Sequence, residues 1–155
     1  AELGPARAAV ALFEQPTAAD DLEGLARVEQ LGAVPVAADE SARSLREVAR
    51  IVREGCCSVI NVKTAKMGLV EAWDAIVTAR GAGLEVMIGG MVETELSMTT
   101  SACLAGGVGG VRFVDLDTPL FLGPRPLTGG FIQRGPELDL SSLGVGHGVA
   151  WLGAF

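Results

Sequence analysis

The chain has 155 residues, 49% of them apolar and 20% charged, a globular balance that excludes a disordered segment. Twelve Lys and Arg stand against 19 Asp and Glu, and with a net charge of −7 and no basic patch nucleic acid is not an expected partner. No run approaches the roughly 18–20 apolar residues of a membrane span, and no basic n-region marks a secretory signal.

Length alone suggests one domain. Along it, short runs rich in Val, Ile and Leu each end in a polar residue. Val10–Phe13 ends at Glu14. A helix is predicted next, capped by Thr17, with Leu22, Leu25, Ala26 and Val28 in one stripe and Gly32 at its end. Val34–Ala38 ends at Asp39, and Ser41 is the predicted cap of a second helix carrying Leu45, Val48, Ala49 and Val52 and closed by Gly55. Val59–Val62 ends at Lys63; beyond it Leu69, Ala72, Trp73, Ile76 and Val77 fit the inner stripe of a third helix. Leu84–Ile88 runs into Gly89-Gly90-Met91, and a less regular helix follows from Glu95 to Ala105, with Leu96, Cys103 and Leu104 inward. Val111–Val114 ends at Asp115. After Thr118 the pattern gives way to Pro, Gly and short apolar pairs, which predicts irregular or hairpin structure over residues 119–155.

Strands that alternate with helices form βαβ units and a parallel sheet, an α/β fold. The period of about 25 residues fits a flavodoxin-like sheet, or part of a barrel that needs about 250 residues when complete. In both, function collects at the C-terminal ends of the strands, where this chain places Glu14, Asp39, Lys63 and Asp115. Two carboxylates on adjacent strands offer hard oxygen ligands for Mg²⁺. Near such a cation and a second ammonium, that of Lys66, the Lys63 amine is expected to work as a general base. The combination suits removal of a proton beside a carboxylate, with the metal neutralising the enediolate that forms. A nucleotide-binding loop is not expected, because Glu14-Gln15-Pro16-Thr17 lacks Gly and the Gly106–Gly110 run precedes a strand. Cys56 and Cys57 are adjacent and the cysteine count is odd, so the thiols read as small buried groups in a reducing, cytoplasmic setting. The single His147 reads as structural.

The segments Glu14-Gln15-Pro16, Ala38-Asp39-Glu40-Ser41 and Asn61-Val62-Lys63-Thr64-Ala65-Lys66-Met67-Gly68 resemble the fourth, fifth and sixth barrel strands of the enolase superfamily, within its muconate lactonizing enzyme subgroup. Gly89-Gly90-Met91-Val92-Glu93-Thr94 resembles the seventh strand. The resemblance implies the C-terminal part, about strands 4–8, of a TIM-like (β/α)7β barrel over residues 1–118, followed by a C-terminal return over 119–155. It implies Glu14 and Asp39 as Mg²⁺ ligands, Lys63 as the acid/base catalyst, and Glu40 and Lys66 in support. Asp115-Leu116-Asp117 matches the D-x-D typical of dipeptide epimerases, which implies that Asp115 and Asp117 hold the α-ammonium of a dipeptide substrate. Residues two apart on a strand share one side, so both can face one cation.

The implied activity is Mg²⁺-dependent inversion of an α-carbon by 1,1-proton transfer, as in an L-Ala-D/L-Glu epimerase. The alternatives are another member of the subgroup (N-acylamino acid racemase, o-succinylbenzoate synthase or muconate cycloisomerase) and a non-catalytic half-barrel. Only 13 residues precede Glu14, and no Met begins the chain. The third metal ligand, the opposite-face Lys, the first strands and a capping domain are therefore expected to lie elsewhere. The chain alone is expected to be inactive, and the full-length enzyme is expected to be a homo-oligomer.

Overall fold

The computed structural model describes residues 9–32 and 34–153, so the N-terminal Ala1–Pro5 lies outside the described residues. Five strands, β1 (Phe13–Glu14), β2 (Val36–Ala38), β3 (Val59–Val62), β4 (Glu85–Gly89) and β5 (Phe113–Asp115), form one parallel sheet in the order of the chain. A flavodoxin-like sheet reverses direction at a switch point and takes the order 2-1-3-4-5. Sequential order instead curls the sheet one way, as the wall of a half-barrel. The middle strands Val-Ala-Ala and Val-Ile-Asn-Val are buried on both faces, which is why their sequences do not alternate.

Two apolar layers result. On the helical side Val36, Ala38, Ile60, Val62, Val86 and Ile88 pack against the helices. On the inner side Ala37, Val59 and Met87 meet Leu12 and Phe113. The register sets Asn61 beside Met87 and Gly89 beside Asp115, so these inner positions rise toward the C-terminal end of the sheet.

Helix α1 (Leu22–Gln30) is capped by Asp21, whose carboxylate accepts the Gly24 N–H at 2.7 Å. Thr17, the predicted cap, instead donates its hydroxyl to the Asp21 carbonyl, because the helix starts four residues later. Helix α2 (Leu45–Glu54) starts at Ser44, not Ser41. The Ser44 hydroxyl accepts the Glu47 N–H, and Glu47 reaches back to the Arg43 N–H, close to a capping box. Ser41 is drawn away by the loops below β1 and β2, where it donates to the Ala19 carbonyl at 2.7 Å. Replacing Ser44 with Ala is expected to cost about 1 kcal/mol of stability, read as a lower urea midpoint.

Helix α3 (Thr64–Gly81) is broken at Gly68, whose φ of 74° no β-carbon would tolerate well. The break shifts the phase of the helix. Ala72, Ala75, Ile76 and Ala79 are buried, whereas Leu69, Trp73 and Val77, predicted inward, are about half exposed. Small alanines let the helix lie close to the sheet and leave the wide Trp73 outside. In α4 (Glu95–Val108) the inward residues are Met98, Thr99, Ser101, Ala102 and Leu104. Leu96 is exposed and Cys103 half-buried, because Met98 sets the inner face by packing under Gly90, where a β-carbon would overlap its side chain.

After β5, a 3-10 turn (Thr118–Phe121) leads to two small antiparallel pairs, β6 (Leu127–Thr128) with β9 (Ala150–Trp151) and β7 (Ile132–Arg134) with β8 (Glu137–Asp139). Cys56 and Cys57 are buried, and the His147 Nδ1 accepts the Val149 N–H, a structural role. Arg125 ties this region to α4 through an ion pair with Glu95. The Arg125 guanidinium holds the Glu95 carboxyl below the ordinary glutamate range. A lowered carboxyl pKa stabilises above the unfolded value and loses that contribution as pH falls through the folded one. Protease nicking of residues 119–126 is therefore expected to rise on acidification below about pH 4.5, and Arg125→Met should remove that pH dependence. Among the described residues no helix is long and apolar enough to cross a membrane.

Candidate active site

Because the strands end in step, their terminal side chains converge at one mouth. Glu14 ends β1, Asp39 follows β2, Lys63 follows β3 and Asp115 ends β5. The Lys63 Nζ lies 2.9 Å from Asp39 Oδ2 and 3.9 Å from Glu14 Oε1. Lys66, one turn into α3, forms an ion pair with Asp39 Oδ1 and donates to the Asp39 carbonyl at 2.8 Å. The helical break at Gly68 comes just after this turn, so Lys66 is held over the strand ends rather than carried along the helix.

The charges are strongly coupled. Burial opposes ionisation of Asp39, but the two ammonium groups outweigh it and hold its carboxyl below the ordinary range. Burial pushes Lys66 down, and Lys63 beside it adds to the effect against the pull of Asp39. Glu14 is pushed up, by burial first and also by the Asp39 and Asp115 charges. The strand register sets Asp115 beside Gly89 and Glu14 beside Ala37, on the same inner side of the sheet. Glu40 is exposed and acts on Lys66 only through its charge.

Asp117 differs from its expected setting. The strand ends at Asp115, Leu116 is buried, and Asp117 has helical backbone angles that open the 3-10 turn. Both aspartates are exposed, but only Asp115 stands on the strand.

Two residues of the site were not singled out from the sequence. Asn61, fully buried, donates from Nδ2 to Glu14 Oε1 at 2.7 Å, and its Oδ1 has no hydrogen-bond partner. Its position two residues before Lys63, on the same side of β3, was the available signal. A β-carbon at Gly89 would collide with the Asn61 amide and press on Lys63 Cε, so a residue without one lets both side chains cross the sheet. The second is Gln15, whose side chain spans from β1 to the loop after β2. Nothing in periodicity marks it.

Glu14 and Asp39 fit a divalent cation in donor chemistry. They are hard oxygen ligands on neighbouring strands, and Glu14 sits among like charges that a cation would compensate. Among the described residues no three His, Cys, Asp or Glu side chains lie close enough together to hold a metal ion, and Glu14 and Asp39 are the two carboxylates beside Lys63. By contrast, the apolar hollow of about 610 Å³ lined by Leu69, Val70, Trp73 and Leu104 lies on the outer flank of α3 and α4, away from these charges.

Known proteins share this sequence and fold. An aromatic dipeptide epimerase of Herpetosiphon aurantiacus is 53% identical over 138 residues, 89% of this chain and 38% of that protein. The crystal structure of a mandelate racemase/muconate lactonizing enzyme from Roseiflexus sp. superimposes with a TM-score of 0.88 at 55% identity, covering 91% of this chain and 41% of that one. A dipeptide epimerase from Enterococcus faecalis, solved with Mg and the dipeptide L-Leu-L-Tyr, aligns at 0.76 and 36% identity over 79% of this chain and 35% of its own. The chain thus spans well under half the length of these relatives. Residues 1–153 match the family model described as enolase C-terminal domain-like, and the chain belongs to that family.

Proposed function

We propose that this chain supplies one half of the catalytic wall of a Mg²⁺-dependent dipeptide epimerase. The carrying observation is the convergence of Glu14, Asp39 and Lys63 at the strand ends, with the Lys63 ammonium 2.9 Å from one carboxylate and 3.9 Å from the other. In this reading residues 1–118 are barrel wall and 119–155 the return segment, and further strands come from outside these residues.

Glu14 and Asp39 would hold the cation, which when bound stabilises negative charge building up on the substrate carboxylate. Lys63 works on one face of the C-terminal residue's α-carbon, taking the proton there in one direction of epimerisation and delivering one in the other. The group on the opposite face comes from outside these residues. The Lys63 side chain is about nine-tenths buried, and the inner wall of Ala37, Val59 and Met87 keeps water from the base of the site. Lys66 and Asn61 hold Asp39 and Glu14 in place. Asp115 and Asp117 meet the free α-ammonium of the dipeptide, a role suited to two exposed carboxylates at the end of the sheet.

The test is chiral chromatography of L,L-dipeptides with aromatic, aliphatic or acidic C-terminal residues, incubated with the full polypeptide that carries this sequence. Epimers are expected with Mg²⁺ and none after chelation. Equal turnover in excess EDTA, or no epimer from any dipeptide, contradicts the proposal.

A further inference from the structure

Gln15 is the one non-glycine residue with positive φ among those described, at 37°. A left-handed backbone at a residue with a long side chain is costly and persists where surrounding contacts impose it. Here the contacts are complete. Gln15 N continues the ladder by donating to the Ala37 carbonyl at 2.8 Å. Its side-chain Oε1 accepts the Asp39 N–H at 2.8 Å and the Ser41 N–H at 3.2 Å. Its Nε2 donates to Ser41 Oγ at 2.9 Å and to the Thr17 carbonyl at 3.2 Å. All four hydrogen-bonding positions of the amide are used, and three of the four reach across to the segment that carries Asp39. Gln15 follows Glu14 directly, so one residue links the backbones of both carboxylates.

We infer that Gln15 is a positioning residue that fixes the spacing of Glu14 and Asp39 for a shared divalent cation, an inference that rests on the metal-dependent reading above. Its turned backbone aims the amide at the β2 end. The amide then replaces the ladder partners that Asp39 and Ser41 lack once the strand stops at Ala38. Without it the Asp39–Ser41 segment keeps the lysine pairs on Asp39, the Ser41 hydroxyl and the Ala42 N–H to Asp39 carbonyl turn, but loses its side-chain tie to β1. Partners behind a metal ligand typically change affinity by about 10–100-fold when removed.

The test uses Mn²⁺ as the probe, followed by electron paramagnetic resonance on the full polypeptide, with Gln15→Met and Gln15→Gly. Met keeps the length and removes every side-chain hydrogen bond. Gly removes the side chain but relaxes the backbone, so its melting temperature is expected to stay near that of the wild type. Both variants are expected to bind Mn²⁺ about 10–100-fold more weakly, with a matching rise in the Mg²⁺ concentration that half-activates turnover and kcat recovered at saturating Mg²⁺. A Gly variant that binds Mn²⁺ within twofold of wild type overturns the inference while leaving the functional reading intact. A loss that follows melting temperature alone, present in Met and absent in Gly, also overturns it. A wild-type protein that binds no Mn²⁺ overturns the metal-dependent reading and this inference with it.

Discussion

Lys63→Met is expected to abolish epimerisation while leaving the polypeptide folded. The side chain is buried beside Asp39 and Glu14, where its amine can move a proton at this mouth, and Met matches its length. Asp39 keeps the Lys66 ion pair after the change, so no buried carboxylate is left uncompensated. A positioned acid/base group is worth about 10²–10⁴-fold in rate, and turnover should fall by that factor at saturating dipeptide and Mg²⁺. Lys63→Arg is not expected to rescue it, because a guanidinium does not give up its proton in a protein. Chiral chromatography of the product, with circular dichroism to confirm folding, makes the comparison. Wild-type rates in a folded Lys63→Met variant would remove Lys63 from the mechanism.

The second large effect concerns the substrate amine. The double change Asp115→Asn and Asp117→Asn removes two negative charges with little change in volume. Each charged hydrogen bond is worth about 1.5–3 kcal/mol, so kcat/KM for a free dipeptide should fall by about a hundredfold or more. Turnover of the N-acetylated dipeptide, which has no ammonium, should change little. Steady-state kinetics on the two substrates thus reads the contribution of the aspartates as a loss of discrimination. An equal loss on both substrates would show that they support the fold rather than bind the amine. The single variants separate the roles further. Asp115 stands on the strand beside Gly89, whereas Asp117 opens the following turn, so Asp115→Asn is expected to account for more of the loss.

The five strands and the polar residues that end them were legible because each short apolar run stops where the chain leaves a buried sheet. Glu14, Asp39, Lys63 and Asp115 could be placed at one mouth for that reason. Strand order was not legible from periodicity, since a doubly wound sheet and a barrel share the same alternation; hydrogen bonding in the order of the chain decides it. The helix faces were less accurate. Gly68 breaks α3 and turns Leu69, Trp73 and Val77 outward, a phase change that counting apolar positions cannot register. Ser41 and Thr17 were suitable caps by type, yet tertiary partners took their hydroxyls. Gln15 carried no mark as a site residue and Asn61 only its place two residues before Lys63, because their roles arise from hydrogen bonds spanning 24 and 47 positions in the chain.

With Lys63 on one face of the α-carbon and a group from outside these residues on the other, the α-proton of the dipeptide exchanges with solvent during epimerisation. Mass spectrometry of an L,L-dipeptide incubated in D₂O with the full polypeptide and Mg²⁺ tests it most directly. One deuterium is expected at the α-carbon of the C-terminal residue, in the epimer and, as the reaction reverses, in the recovered substrate. Recovery of unlabelled dipeptide, or a label on the N-terminal residue instead, would contradict it.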